Sequence, residues 1–207
     1  MCGRFAAVRL GKGNETAEFL REEVQGWPEG GFGFKDGGDV FPGDTVPVIV
    51  RRGRTLGALP MKWGFPGYPD PARPGRKPRP LINARSETAA SLATWRGPLK
   101  TGRCLVPAEG FYEWQRGVGR ATRKWRFRAE DGGMLFLAGL LRDNPGAPAG
   151  QAPLLFAVLT AAANASMADV HDRMPVCVPR PLFGAWLGTG YLSVLETEGV
   201  PFSREPA

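Results

Sequence analysis

The chain has 207 residues, 43% apolar and 10% aromatic, and its 27 Lys+Arg against 20 Asp+Glu give a net charge of +7. This is a globular composition, and a chain of this size buries about 70% of its unfolded surface, so a core needs neither disulfide nor metal. No apolar run of about 18 residues occurs and MCGRFAAVRL lacks an apolar leader segment, so neither a transmembrane helix nor a signal peptide is expected. Cys2, Cys104 and Cys177 show no CxxC or Cys/His spacing, which argues against a disulfide framework or a zinc site and for a reducing compartment. The positive charge suggests a polyanionic partner, although many basic proteins bind no nucleic acid.

In chain order, Asn14 reads as the N-cap of a short helix carrying Phe19, Leu20 and Val24, closed by Gly26 and Pro28. A glycine-rich stretch leads to strands predicted over 45–50 and 55–63. The segment 68–80, YPDPARPGRKPRP, is too proline-rich for a helix or a central strand and reads as an exposed, mobile, basic loop. Ser86 is placed to cap a helix reaching Trp95, with Glu87 in its first turn. Strands are predicted over 103–107, 110–115, 124–129, 134–141 and 154–160, with RGVGRATRK as a basic hairpin tip. The chain then offers a short helix over 164–170, a strand over 174–178 and a proline-started helix over 181–187. Strands outnumber helices at hairpin spacing, which predicts an α+β fold, one β-rich domain over 1–207 with a few short helices.

Four places could carry chemistry. Removal of the initiator methionine, common before a small residue, would leave Cys2 as a 1,2-aminothiol, its amine near pKa 7.7–8.0 and its thiol near about 8.5 in peptides. Such a pair condenses with an aldehyde to an imine and closes to a thiazolidine; it can also attack an amide as an N-terminal nucleophile, and an inert buried cysteine fits the position too. His171, in VHDRMPV, is the only histidine, and its near-neutral titration suits proton transfer unless it is an ordinary surface or core histidine. Glu109 and Glu113 in VPAEGFYEWQ share one face of either a helix or a strand, as a general acid in an aromatic pocket or as a solvated face. Asn83 and Arg85 in LINARSET project the same way if extended, amide for hydroxyl or carbonyl groups and guanidinium for phosphate, or else form a helix-entry turn.

Taken together, CGRF, WGFPGY, INARSET, RCLVPAEGFYEW, AGL, TAAAN and HDRMPV followed by WL resemble the SOS-response-associated peptidase (SRAP) family, in its order from Cys2 to Leu187. The resemblance implies a single α+β domain on a barrel-like antiparallel core, with a positive groove for single-stranded DNA. It implies Cys2 as nucleophile with Asn83, Glu113 and His171 as catalytic partners, Glu113 rather than Glu109 matching the motif. Arg4, Arg85 and Arg173 would bind phosphates, and Trp63 with the aromatics after it would line or wedge the strand. The implied activity is a covalent thiazolidine crosslink to abasic sites in single-stranded DNA, which shields the lesion, with self-removal of Met1. No cofactor or metal is implied, nor a membrane; a cytoplasmic monomer is, nucleoid-associated if bacterial. An N-terminal-nucleophile amidohydrolase and a non-covalent single-strand-binding module are the alternatives. The chain departs from the family pattern at Tyr68, where tryptophan is common, at Asp39 in place of asparagine, and at its close, PFSREPA, which could loosen the last strand.

Overall fold

The structure, a computed structural model, describes residues 2–8, 15–27, 37–117, 122–147, 152–196 and 199–207. The elements in chain order are β1 (Phe5–Ala6), α1 (Glu15–Glu23), β2 (Val24–Gln25), β3 (Asp39–Val40), β4 (Thr45–Arg52), β5 (Thr55–Trp63), β6 (Asn83–Arg85), α2 (Ser86–Ala89) and α3 (Ala93–Thr101). They continue as β7 (Arg103–Ala108), β8 (Gly110–Arg116), β9 (Thr122–Ala129), β10 (Leu135–Asp143), β11 (Leu154–Ala162), β12 (Arg173–Pro175), α4 (Phe183–Leu187), α5 (Tyr191–Leu195) and β13 (Phe202–Pro206). The fold is β-rich with short helices, as the strand spacing predicts.

The strands form a smaller sheet, β13-β9-β8-β1-β3, and a larger one, β12-β11-β10-β7-β4-β5-β2. The larger sheet closes on itself because β11 also pairs with β5. The ring is not a strict antiparallel barrel. Its β5–β11 closure is parallel, β6 and β2 add in parallel, and β4 meets β7 through the single pair Ile49↔Leu105.

Alternation along the large-sheet strands sends apolar side chains both ways. Cys104, Val106, Leu135, Leu137, Phe156 and Val158 face Phe5, Phe111, Phe127 and Phe202 of the small sheet. Leu105, Phe136, Ala138, Leu140 and Ala157 face a second core with Leu20, Trp95, Leu99, Phe183 and Trp186 from the helices. Strands covered on both faces read as near-continuous apolar runs, which is why β10 and β11 are so apolar.

Three expectations change. The helix predicted from Ser86 to Trp95 is two helices, because Leu92 is extended (φ −80°, ψ 130°), and Ser86 lies inside the first helix while Arg85 occupies the cap position. Residues 164–170 form turns instead of a helix: the Asn164 carboxamide oxygen accepts from the Ser166 amide and hydroxyl, competing with helical bonding. The final strand is not loosened, since β13 pairs with β9 from Phe202↔Ala129 to Pro206↔Trp125. The Asn14 cap, Pro28 and the tip of the β8–β9 hairpin (118–121) lie outside the described residues.

One feature positions the site. The edge of β11 is filled first by β5, with Phe156 opposite Trp63, and then by β6, with Val158 opposite Asn83. Between them the chain leaves the sheet and returns, its base closed by the Phe65↔Leu81 bridge. This excursion is the proline-rich loop, exposed as expected and without helix or strand from 66 to 80. Gly67 lies so close to the returning chain that a Cβ there would sit 1.9 Å from the Arg79 carbonyl oxygen.

Candidate active site

Cys2 is buried (1% exposed) in the core between the two sheets. Asn83, held extended in β6, donates from Nδ2 to the Cys2 carbonyl oxygen at 2.9 Å, joining residues 81 positions apart. Its other end, Oδ1, is buried without a hydrogen-bond partner. An unsatisfied buried acceptor costs about 1–3 kcal/mol, so this oxygen is an acceptor ready for an incoming donor. Glu113 enters from the opposite sheet. The register Phe5↔Phe111 in the β1–β8 pair carries on through the Tyr112 amide donating to the Arg4 carbonyl, and this sets Glu113 beside the chain at Gly3 and Cys2. Its side chain is 3% exposed. Burial, aided by the Glu113 carboxylate, pushes the Cys2 thiol up to about 12, so the sulfur is protonated at neutral pH.

The turn before His171 is tied to the same sheet by Gln115 Nε2, which donates to the Asp169 carbonyl at 3.0 Å. The His171 Nδ1 accepts the Arg173 amide at 2.9 Å, and the exposed Asp172 carboxylate also stands 2.9 Å from it. A ring nitrogen has one in-plane lone pair, so the Nε2–H tautomer takes the Arg173 amide, whereas a ring with hydrogen on Nδ1 would donate to Asp172. The Arg173 guanidinium turns inward. It bonds both Glu87 carboxylate oxygens and donates from Nη2 to the Thr160 carbonyl at 2.6 Å. Hydrogen bonding to Arg173 outweighs desolvation and holds the Glu87 carboxyl down at about 2.

The expected phosphate ligands therefore separate. Arg85, on the exposed face of β6, is open to solvent, with Ala84 between it and Asn83 buried, so the Asn83 and Arg85 side chains do share a face. Arg173 is 8% exposed and committed to Glu87 and Thr160. Arg4 is half-buried on the outer face of the small sheet, paired with Asp39, its guanidinium 4.7 Å from the Phe41 ring centroid and 5.1 Å from that of Tyr112. Asp39 thus supplies the polar contact. Burial raises its carboxyl, but the Tyr112 hydroxyl, Arg4 and Lys124 together hold it below the ordinary range. Trp63 is a core residue, 1% exposed, stacked on Phe156 with its indole N–H given to the Ile82 carbonyl, and offers no face to a base.

The two glutamates do not share a face. Glu109 sits at the break between β7 and β8 and pairs with Arg126, which is opposite Tyr112 in the β8–β9 register, whereas Glu113 points to the core side with Phe111. The bend at Glu109 shifts the strand parity, which an even sequence spacing cannot reveal. The same register exposes a feature that sequence reasoning missed. Trp114 stands opposite Lys124 on the outer face of the small sheet, 37% exposed, next to Tyr112, over which Lys124 Nζ sits 4.2 Å from the ring centroid. Aromatic and cationic residues interleaved on a sheet face suit stacked bases and phosphates. The signal was present in the alternation of FYEWQR and TRKWRFR, but only strand pairing assembles it. Among the described residues no group of three His, Cys, Asp or Glu side chains could hold a metal ion, and no helix is long and apolar enough to cross a membrane.

The SOS response associated peptidase (SRAP) family profile matches residues 1–198. The chain is 31% identical over 192 residues to the abasic site processing protein YedK of Escherichia coli, spanning 90% of this chain and 79% of that one. It is 29% identical over 188 residues to the abasic site processing protein YoqW of Bacillus subtilis, covering 90% and 80%. The mouse abasic site processing protein HMCES is 28% identical over 67% of this chain and 47% of its own. A crystal structure of a phage-related protein of Bordetella bronchiseptica superposes with a TM-score of 0.70 at 27% identity, covering 100% of this chain and 94% of that one. By the profile across nearly its whole length, this chain belongs to the SOS response associated peptidase family.

Proposed function

We propose that this protein processes abasic sites in single-stranded DNA by forming a covalent thiazolidine between Cys2 and the lesion aldehyde. The observation that carries the reading is the assembly around the second residue. Asn83, Glu113 and the Cys2 backbone converge from three distant segments, the amide at 2.9 Å and the carboxylate close enough to raise the thiol. The relatives named as abasic site processing proteins support the substrate.

Met1 must first be removed, because in the chain it holds the Cys2 nitrogen in a peptide bond. The freed amine, partly neutral near pH 7.7–8.0 as is usual for about that pKa range, attacks the aldehyde carbon of the ring-opened sugar. Glu113 or His171 protonates the ring oxygen on opening and the departing hydroxyl, so water leaves and an imine forms; a positioned acid contributes about 10²–10⁴-fold. The thiol then adds to the imine carbon, its proton passing through Glu113 to the nitrogen. Capture removes the imine that would otherwise promote β-elimination and cut the strand. Asn83 fixes the Cys2 carbonyl, and its buried Oδ1 takes an N–H of the freed amine. The outer face of the small sheet, with Arg4, Trp114 and Lys124, and the exposed Arg85 hold the flanking strand.

Intact mass after incubation with an abasic oligonucleotide tests this. The expected product is the chain lacking Met1 plus the oligonucleotide minus one water, absent with Cys2→Ala. A Met1-free protein that gives no adduct, or an adduct that survives Cys2→Ala, overturns it.

A further inference from the structure

We propose that Glu87 is a positioning residue that sets the His171 ring, acting through Arg173, and this rests on the reading of His171 as a proton carrier. Arg173 has two ends. Its backbone amide holds the His171 Nδ1 at 2.9 Å, and its guanidinium is gripped by Glu87, with Nη2 to Oε2 at 2.9 Å and Nη2 to the Thr160 carbonyl at 2.6 Å. Thr160 is itself tied to β6, its hydroxyl donating to the Ala84 carbonyl at 3.2 Å. Glu87 stands on α2, immediately after β6, so one carboxylate links the segment bearing Asn83 to the segment bearing His171.

The chemistry gives the link a purpose. The Arg173 amide can be accepted only by an unprotonated Nδ1, so it favours the tautomer with hydrogen on Nε2 against the Asp172 carboxylate, which stands 2.9 Å from the same Nδ1 and favours a hydrogen there. Without Glu87, the guanidinium is held only by neutral Thr160 groups, and a buried cation without its counter-charge moves toward water. The backbone at 173 then loosens, and the ring with it. An arginine that reached a phosphate would need the reverse arrangement, with Glu87 as its competitor. The Glu87 carboxylate also takes bonds from its own backbone amide and the Ser86 hydroxyl, with Arg173 its strongest partner.

His171 is the sole histidine, so in a protein without a histidine tag its imidazole nitrogens give one set of magnetic resonance signals. At about pH 8.5, where an ordinary imidazole is neutral, the wild type is expected to show mostly the Nε2–H tautomer. Glu87→Gln and Glu87→Ala should show a larger share of the Nδ1–H form, which donates to Asp172. With abasic strand at saturation they should form adduct about 10- to 100-fold more slowly, the scale of lost alignment, with unchanged affinity for an undamaged strand. Glu87→Asp should recover part of both. A wild-type tautomer ratio and wild-type rate in Glu87→Gln overturn the proposal. So does tighter binding of undamaged strand with a salt slope steeper by about 0.7, which would mean that Arg173, once released, contacts phosphate. If the wild type itself forms no adduct, the proposed function fails, and the tautomer comparison alone decides whether Glu87 sets the ring.

Discussion

At the scale of single residues, the decisive contrast is between two glutamates four positions apart. Glu113 is buried beside Cys2, while Glu109 is half-buried against Arg126 on the other face of the strand. Glu113→Gln should therefore slow both formation and reversal of the crosslink by about 10²-fold or more, since the amide keeps shape and loses the proton. Glu109→Gln should change little. A time course with abasic strand followed by a competitor chase measures both, and a slower Glu109→Gln would reassign the acid. Choosing Glu113 from the sequence was possible through the motif; knowing that the bend at Glu109 puts the two carboxylates on opposite faces was not. Trp63 marks the converse limit. An aromatic beside a glycine-proline segment looks the same in sequence whether it stacks on a base or, as here, on Phe156.

At the scale of elements, β5 was legible to the residue and β4, β7, β8 and β11 nearly so, because each is a long run with turn residues at both ends. The two-residue strands β1 and β3 were not, since so short a run has no period to read, and they exist only because β8 offers an edge. Asn83 and Arg85 were left open between an extended pair and a helix entry; pairing with β11 decides for the strand, and the helix starts one residue later. This placement separates Arg85 from Arg173, two of the three arginines expected on phosphate. Arg85→Ala should weaken binding of an undamaged single strand and lower the slope of log affinity against log salt by about 0.7. Glu87, paired with Arg173, also ties β12 to α2 in a pH-dependent way. Its carboxyl is depressed from 4.5 to about 2, so its contribution to stability is present above about pH 4.5 and is lost as pH falls toward 2. The difference in denaturation midpoint between wild type and Glu87→Gln should therefore narrow on going from pH 6 to pH 3, as read by paired urea titrations; a gap that stays constant would deny the ion pair its role.

At the scale of the molecule, the two sheets share one core, and the aromatic cluster Phe111, Phe127 and Phe202 fastens the small sheet, with Phe111 stacked 5.1 Å from Phe127 and edge-on to Phe202 at 5.1 Å. Phe111→Ala should cost about 3–5 kcal/mol in chemical unfolding. It should also diminish adduct formation even where the protein stays folded, because β8 carries Glu113 two residues further on. The same layering explains what the composition concealed: three buried cysteines, none in a framework, are here core side chains.

The excursion between β5 and β6 has a consequence for how many chains the protein needs. Its base is closed by the Phe65↔Leu81 bridge, and the strands on either side keep their own pairings with β11. At its outer end Gly75 has φ +86° and open space around it, and what spans it is the local turn bond from the Arg76 amide to the Arg73 carbonyl. A recognition sequence for a specific protease placed after Gly75 and cut should leave two pieces that stay associated through the β1–β8, β4–β7 and β5–β11 pairings. The proposed active site would then be shared between two polypeptides, Cys2 on the smaller and Asn83, Glu113 and His171 on the larger. On a denaturing gel after reaction with labelled abasic strand, the label should travel with the smaller piece alone, and label on the larger one would mean that the bond to DNA is made by some residue other than Cys2.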